Sequence, residues 1–484
     1  MNLTSARAAI VILNHHGVPV CIVGEMALNY YNVPRVHHDL EICVPESRSI
    51  VATSLLCYTG LFEPFPSDSE SNNYTEYKRG FPRVRTTLWT KPPQAITIFP
   101  AALFDLSPIE KHLVRFADCK VHISKEMSHL DLIDIAALPL PRLAPLLRGL
   151  AKRYLETQDD MAMIAVEQLV DGMNLDEAWV ERNLKDSDPA LLRLVMNRIH
   201  GKESRIDYYS DNTITCFISG PKEAESTPTD TSQPDCVTIL STDARSRPEA
   251  TALEMHAWQP RRLNDAAIAL HGILSREGID FGIFGGYAIA TMGGTRESKD
   301  IDCLASVTKE QVISLLDNRE GFQAISQSRQ DYVAFMWSDR PDKSHAVLVE
   351  IFCEQFPGAQ YSMMGVPRSV ISIEGPSLGP GSSSFLDPFY LFKGKLRAAA
   401  TRGKFHDSAD LRMLGGKYKS VIESRVQELN VQNIGLALKR YPELERLFQP
   451  LGIDVEQAKH ATEHLDLSKL PPPTAGDVQK GLLE

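Results

Sequence analysis

The sequence contains no apolar run close to the roughly 20 residues that a membrane-crossing helix needs. Near the N-terminus, Ala8-Ala9-Ile10-Val11-Ile12-Leu13 stops at Asn14-His15-His16, too short and too polar on its flank for a secretory signal. There is no C-x-x-C pair. The eight cysteines (Cys21, Cys43, Cys57, Cys119, Cys216, Cys236, Cys303, Cys353) are scattered, several in apolar, strand-like runs. That distribution excludes a zinc ribbon and predicts buried thiols in a reducing, cytoplasmic setting. Positive balance is missing too: 51 Lys and Arg stand against 62 Asp and Glu, a net charge of −11. A nucleic-acid coat and an anionic-membrane binder are thereby excluded, while a local basic pocket is not. The expected partners therefore include no membrane and no generic DNA. The four tryptophans, Trp89, Trp179, Trp258 and Trp337, do not interleave with basic residues, so no base-stacking platform is expected.

What remains is a globular composition, 43% hydrophobic and 23% charged. Its 484 residues suggest two or three domains. An internal similarity organises the chain. Val20-Cys21-Ile22-Val23-Gly24-Glu25-Met26-Ala27-Leu28 has a counterpart in Phe281-Gly282-Ile283-Phe284-Gly285-Gly286-Tyr287-Ala288-Ile289, at an offset of 261 residues. At that offset Gly17 meets Gly278, Arg35 meets Arg296, Asp39 meets Asp300 and Glu41 meets Asp302. Leu55 meets Leu316 and Gly60 meets Gly321, without a gap. We read this as two copies of one lobe.

Each copy predicts the same order of elements: amphipathic helix, short apolar strand, glycine turn, second helix, strand with alternate acids, helix, later strand, helical region. The fold class is α+β, with two lobes that each hold a small mixed sheet and flanking helices. The lobes are expected at 1–200 and 255–470. Between them, 201–254 reads as a flexible linker, because a run such as Lys222 to Pro234 has too little apolar surface to order itself. A tail is expected at 471–484, and a mobile loop at Gly375 to Ser384.

Chemistry concentrates in the second copy. Asp300 and Asp302, at i and i+2 on a strand, share one face, with Ile301 turned to the core. Two carboxylates so close repel unless protonated, paired or bridged. Hard oxygens of this kind suit Mg²⁺ or Mn²⁺. Glu350, inside the apolar strand Val347 to Phe352, is the candidate third acid, because burying a lone carboxylate is expensive. Gly285-Gly286 lacks the Cβ atoms that keep a backbone away from a phosphate. A strand-to-helix turn of that type facing paired acids is the minimum equipment for phosphoryl or nucleotidyl transfer.

Taken alone, Asp300-x-Asp302 also fits a solvated strand end, and Lys393 and Lys395 a solvated helix face. Arg35 and Arg296 fit pairing with the nearby acids as well as contact with a phosphate. His37-His38 read as turn residues, since Ser298-Lys299 stand there in the other copy, and His406 reads as structural.

Gly285-Gly286, Arg296, Asp300-Ile301-Asp302 and the later Glu350 together resemble the nucleotidyltransferase superfamily, with its GG…D-h-D…h-[DE]-h pattern. The abortive-infection-type and toxin-associated members are the most similar. Leu386 to Leu396 and Arg402 to Leu411 resemble the family's downstream helical motif. The resemblance covers about 256–420 well and 1–200 more weakly. It implies that Asp300 and Asp302 hold two metal ions and the triphosphate, and that Glu350 serves as third ligand or as base. It further implies that Gly285 and Gly286 hold the β- and γ-phosphates, that Lys395 and Arg402 neutralise phosphate charge, and that Asp407 and Asp410 orient side chains.

The expected reaction is transfer of a nucleoside monophosphate from an NTP to a hydroxyl or phosphate on a small molecule, a protein or an RNA such as tRNA. Two rivals share the scaffold: a tRNA- or acyl-substrate condensing enzyme, and a non-catalytic binding protein. In the first copy Glu25 replaces the second glycine and Thr97 falls where Glu350 stands. That lobe is expected to be catalytically degenerate.

Overall fold

A computed structural model describes residues 3–33, 35, 39–66, 76–90, 93–115, 124–127, 130–205, 259–294, 298, 300–325, 329–341, 346–471 and 474–484. The chain divides into two compact units, whose described residues run to 205 in the first and from 259 in the second. Most of the expected 201–254 linker lies outside the described residues, as do Arg296, Lys299, His37 and His38. Among the described residues, no helix is long and apolar enough to cross a membrane.

The first unit opens with the helix Leu3–His15, then strand β1 (Cys21–Val23) and the helix Gly24–Tyr30. Strands β2 (Leu40–Val44), β3 (Phe62–Pro64), β4 (Arg83–Thr86) and β5 (Ala95–Pro100) complete a sheet ordered β1-β2-β5-β4-β3. The β2–β5 pair is parallel and the other pairs are antiparallel. Between β2 and β3 the helix Ser49–Tyr58 buries Ala52 and Leu56, one turn apart on one face. Five helices from Leu132–Ala136 to Pro189–His200 form the helical region. Three of them start on an aspartate cap: Asp159, Asp176 and Asp188 each accept backbone N–H groups of the first turn.

The second unit repeats this plan. After the helix Gln259–Arg276 come β6 (Phe281–Phe284), the helix Gly285–Thr291, β7 (Asp300–Thr308), the helix Lys309–Leu316, β8 (Phe322–Ile325), β9 (Tyr332–Trp337) and β10 (Val347–Gln355). The order β6-β7-β10-β9-β8 has the same sequence of strand directions as the first sheet. A Thr308–Gln311 capping box starts the crossover helix. All but the last residue of β10 are buried, as expected for a central strand covered on both faces.

Two stretches depart from expectation. Gly375 to Ser384, read from composition as a mobile loop, belongs to the hairpin β11 (Arg368–Gly375) and β12 (Gly379–Leu386). Tertiary contacts hold this weakly strand-forming run. Buried Asp265 accepts the Ser377 and Leu378 amides at the turn, Ser384 Oγ donates to Phe281 O at 2.9 Å, and β12 pairs in parallel with β6. The sheet thereby grows to seven strands.

The 471–484 stretch is likewise no tail: it carries the helix Asp477–Leu483. That helix is held by Gly476 N donating to Asp331 at 2.7 Å, by Gln479 Nε2 donating to Cys353 O at 2.9 Å, and by an Arg397–Asp477 ion pair. The helical region before it runs from Pro388–Thr401 to Val455–Thr462.

Candidate functional site

The second unit's site begins at the end of β6. Phe284 is extended, and Gly285 turns the chain at φ +70°, a left-handed conformation that favours glycine. A Cβ on Gly285 would lie 1.8 Å from Asp302 Oδ2, so only glycine fits. The turn therefore stands directly against the Asp302 carboxylate, and Gly286 is buried behind it.

Along β7, Asp300 and Asp302 are half-buried and Ile301 is fully buried, which puts both acids on one face. Ser298 Oγ donates to Asp300 at 2.8 Å. In the parallel β7–β10 register Glu350 is the partner of Asp302. In-register partners share a face, so the third acid is on the same side as the first two. Glu350 is buried, and the Tyr332 hydroxyl on β9 donates to it at 2.5 Å. Tyr332, itself fully buried, carried no signal in the sequence. Its strand partner is Phe352 rather than Glu350, and only the side chain crosses to the acid.

The donor chemistry fits a hard divalent cation: three carboxylates share one face, and a turn shaped for close approach stands beside them. Among the described residues, however, no three His, Cys, Asp or Glu side chains are gathered closely enough to hold one ion.

Lys395 and Arg402 occupy another setting. Lys393 and Lys395, which also fit a solvated helix face, are both buried. Lys395 Nζ lies 3.1 Å from Asp407 and 2.7 Å from Asp410, and Arg402 grips both oxygens of Asp407 at 2.7 and 3.1 Å. Burial by itself would raise the Asp407 pKa; Arg402 and then Lys395 outweigh it and hold the carboxyl well below the usual range. Both cations are thus engaged by fully buried carboxylates. Their helix, Pro388–Thr401, packs on the helix Gly285–Thr291 that follows the glycine turn.

The first unit has the same skeleton with different chemistry. Gly24 has φ +63°, and a Cβ there would lie 2.0 Å from Glu41 Oε2. The register partner of Glu41 is Thr97, at the station Glu350 holds opposite Asp302. Two cations that the sequence reading missed sit on the acids. Lys78 Nζ is 2.8 Å from Glu41 and 3.5 Å from Asp39, and Arg83 is 2.9 Å from Asp39. The Tyr77 hydroxyl donates to Glu41 at 2.5 Å. Burial would lower the Lys78 pKa, but Glu41, Tyr77, Glu25 and Asp39 together outweigh it and drive the ammonium above its usual range. Burial, then Glu41, likewise pushes the Tyr77 phenol up, so it stays a donor. The signal available for these residues was Arg83, which alternates with Val84 and Arg85 in a short polar strand.

No family model matches the chain, and no curated protein sequence matches it. Among solved structures, an antigenic nucleotidyltransferase-like protein from Paracoccidioides brasiliensis is similar at 16% identity. The match covers 42% of this chain and 97% of that one, with a TM-score of 0.29. ANT(2")-Ia in complex with adenylyl-2"-tobramycin is similar at 14% identity over 38% of this chain and 98% of that one, with a TM-score of 0.24. The antibiotic-resistance factor ANT(2")-Ia in solution is similar at 12% over 43% and 99%, also with a TM-score of 0.24. These likenesses are distant and partial, and the reading of the site rests on its own geometry.

Proposed function

We propose that the second unit is a metal-dependent nucleotidyltransferase, which moves a nucleoside monophosphate from an NTP to a hydroxyl or phosphate acceptor on a small molecule, a protein or an RNA. The observation that carries this reading is the Gly285 turn pressed against Asp302, with Glu350 in register beside it on the same face. Asp300 and Asp302 would hold Mg²⁺ or Mn²⁺, which when bound supplies charge neutralisation for the triphosphate, with Glu350 as a third ligand or as the base for the acceptor. The backbone at Gly285 and Gly286 would receive the β- and γ-phosphates, neither residue having a Cβ of its own to keep them away.

With a hydroxyl acceptor, the acceptor oxygen forms a bond to the α-phosphorus as the bond from that phosphorus to the pyrophosphate oxygen breaks. With Glu350 in the role of base rather than ligand, the acceptor's proton passes to its carboxylate, which Tyr332 holds in place. The buried Lys395–Asp407–Arg402 network stiffens the helix behind the turn, a positioning role, and Arg296 is a further candidate for phosphate contact.

The test is label transfer from α-phosphate-labelled NTPs in the presence of Mg²⁺ and a cell extract that supplies acceptors, with pyrophosphate release followed in parallel. Asp300→Ala/Asp302→Ala is expected to lose about 10³-fold or more in rate, the scale set by removing groups that stabilise transferring charge. Equal labelling by the double variant would refute the assignment.

A further inference from the structure

The first unit contains a cleft that the transfer reading leaves unused. Gly24, Arg35, Glu41, Tyr77 and Arg153 line it, with Glu25 also at its wall. Its interior is small, about 30 Å³. Roughly 10–15 Å³ suffices to hold one water, so the interior has room for a small group.

Two guanidinium groups in this cleft have donors without acceptors. Arg35 Nε and Nη2 are buried and make no hydrogen bond to the described residues. Arg153 is 6% exposed; its Nε lies 2.8 Å from Asp159, and its Nη1 has no hydrogen-bond acceptor among the described residues. Arg153 is fixed in place, with its guanidinium 5.0 Å from the Tyr77 ring centre and 4.9 Å from that of Phe104. Buried donors left unpaired cost about 1–3 kcal/mol each, so an acceptor of the right shape gains what the fold forgoes. The acids nearby do not compete as they would in a metal site. Asp39 and Glu41 are held by Lys78 and Arg83, built-in cations where a divalent ion would otherwise be needed.

We propose that the first unit carries a metal-independent site for a small oxyanion group, a phosphate or a carboxylate, received by the guanidinium groups of Arg35 and Arg153. Planar guanidinium forks match both groups by bidentate hydrogen bonding. Lys78 and Arg83 keep the paired acids from repelling the ligand, so no Mg²⁺ is required. Glu25 opposes the anion and keeps its affinity modest. The site does not rest on the transfer activity of the second unit.

Titration calorimetry on the full chain in EDTA tests it, with inorganic phosphate and, separately, malonate as probes. One of the two anions is expected to bind at a single site, which also tells a phosphate site from a carboxylate site, and Mg²⁺ leaves the affinity unchanged. Arg35→Gln is expected to weaken binding at least tenfold. Asp300→Ala/Asp302→Ala leaves it unaltered, which separates this site from the one in the second unit. Should Arg35→Gln fail to fold, Glu25→Gln is the second variant, expected to tighten binding several-fold. Silence from both anions with the native chain overturns the proposal. So does unchanged affinity in a folded Arg35→Gln or in Glu25→Gln, or loss of binding in the Asp300→Ala/Asp302→Ala variant.

Discussion

The two units place an acid pair at the same point of the same strand order and then treat it in opposite ways. In the first, Asp39 and Glu41 are met by Lys78 and Arg83 from the β3–β4 side, and the strand opposite Glu41 contributes a threonine. In the second, Asp300 and Asp302 stay half-buried, and a third carboxylate takes the threonine's station. Like charges on adjacent same-face positions need a cation from somewhere. One unit supplies it from its own chain, and for the other we propose a bound metal ion in that role. A skeleton shared to the level of strand register is therefore no guide to chemistry; the sign of the charges brought in by a neighbouring hairpin is.

Paired acids should be structural in one unit and dispensable for stability in the other. Glu41→Gln leaves the buried Lys78 ammonium with Asp39 alone and is expected to destabilise the first unit by about 2–3 kcal/mol. Asp302→Asn should cost the second unit under about 1 kcal/mol, in the range of partly exposed substitutions. Urea unfolding followed by unit-specific amide exchange measures both, and similar losses would erase the distinction.

A smaller effect sharpens the second unit's side. Tyr332→Phe removes the donor to buried Glu350 and should cost about 1–3 kcal/mol of stability. The same variant should shift the acidic limb of the pH–rate profile to higher pH, because Glu350 loses a hydrogen bond that favours its charged form. A purely structural tyrosine would lower stability and leave that limb in place.

A further difference is read in acid. The folded Asp407 carboxyl titrates well below its usual range, so its contribution to stability is complete above the unfolded value of about 3.9. That contribution drains away as pH falls from there toward the folded value. Asp407→Asn should flatten the second unit's stability curve below about pH 4, while lowering stability at neutral pH. An unaltered slope would show that other carboxylates govern acid unfolding.

Much of the frame was legible along the chain. The offset joining Gly24 to Gly285 and Asp39-x-Glu41 to Asp300-x-Asp302 works because a left-handed turn beside a carboxylate admits only glycine, and because same-face acids must be two residues apart. The crossover helices and central strands showed the periods of 3.6 and 2. The short hairpins β3–β4 and β8–β9 did not. Runs of three to six residues have too little pattern to register, yet they carry Arg83 and Tyr332 to the acids. The hairpin β11–β12 and the last helix hid for another reason: glycine, serine and proline are poor strand and helix formers, and here partners such as Asp265 and Asp331, distant in sequence, hold them in order.

Chain order by itself indicated where each unit turns and which acids share a face, since each follows from local geometry between near neighbours, and an aligned strand put Thr97 where the other unit has Glu350. Only the packed tertiary structure decided the partners: Lys78 and Arg83 on Asp39 and Glu41, Tyr332 on Glu350, and Lys395 and Arg402 on Asp407. The physical reason is reach. A long side chain ends several ångströms from its own backbone, and which charge it meets there depends on how separate elements are laid against one another.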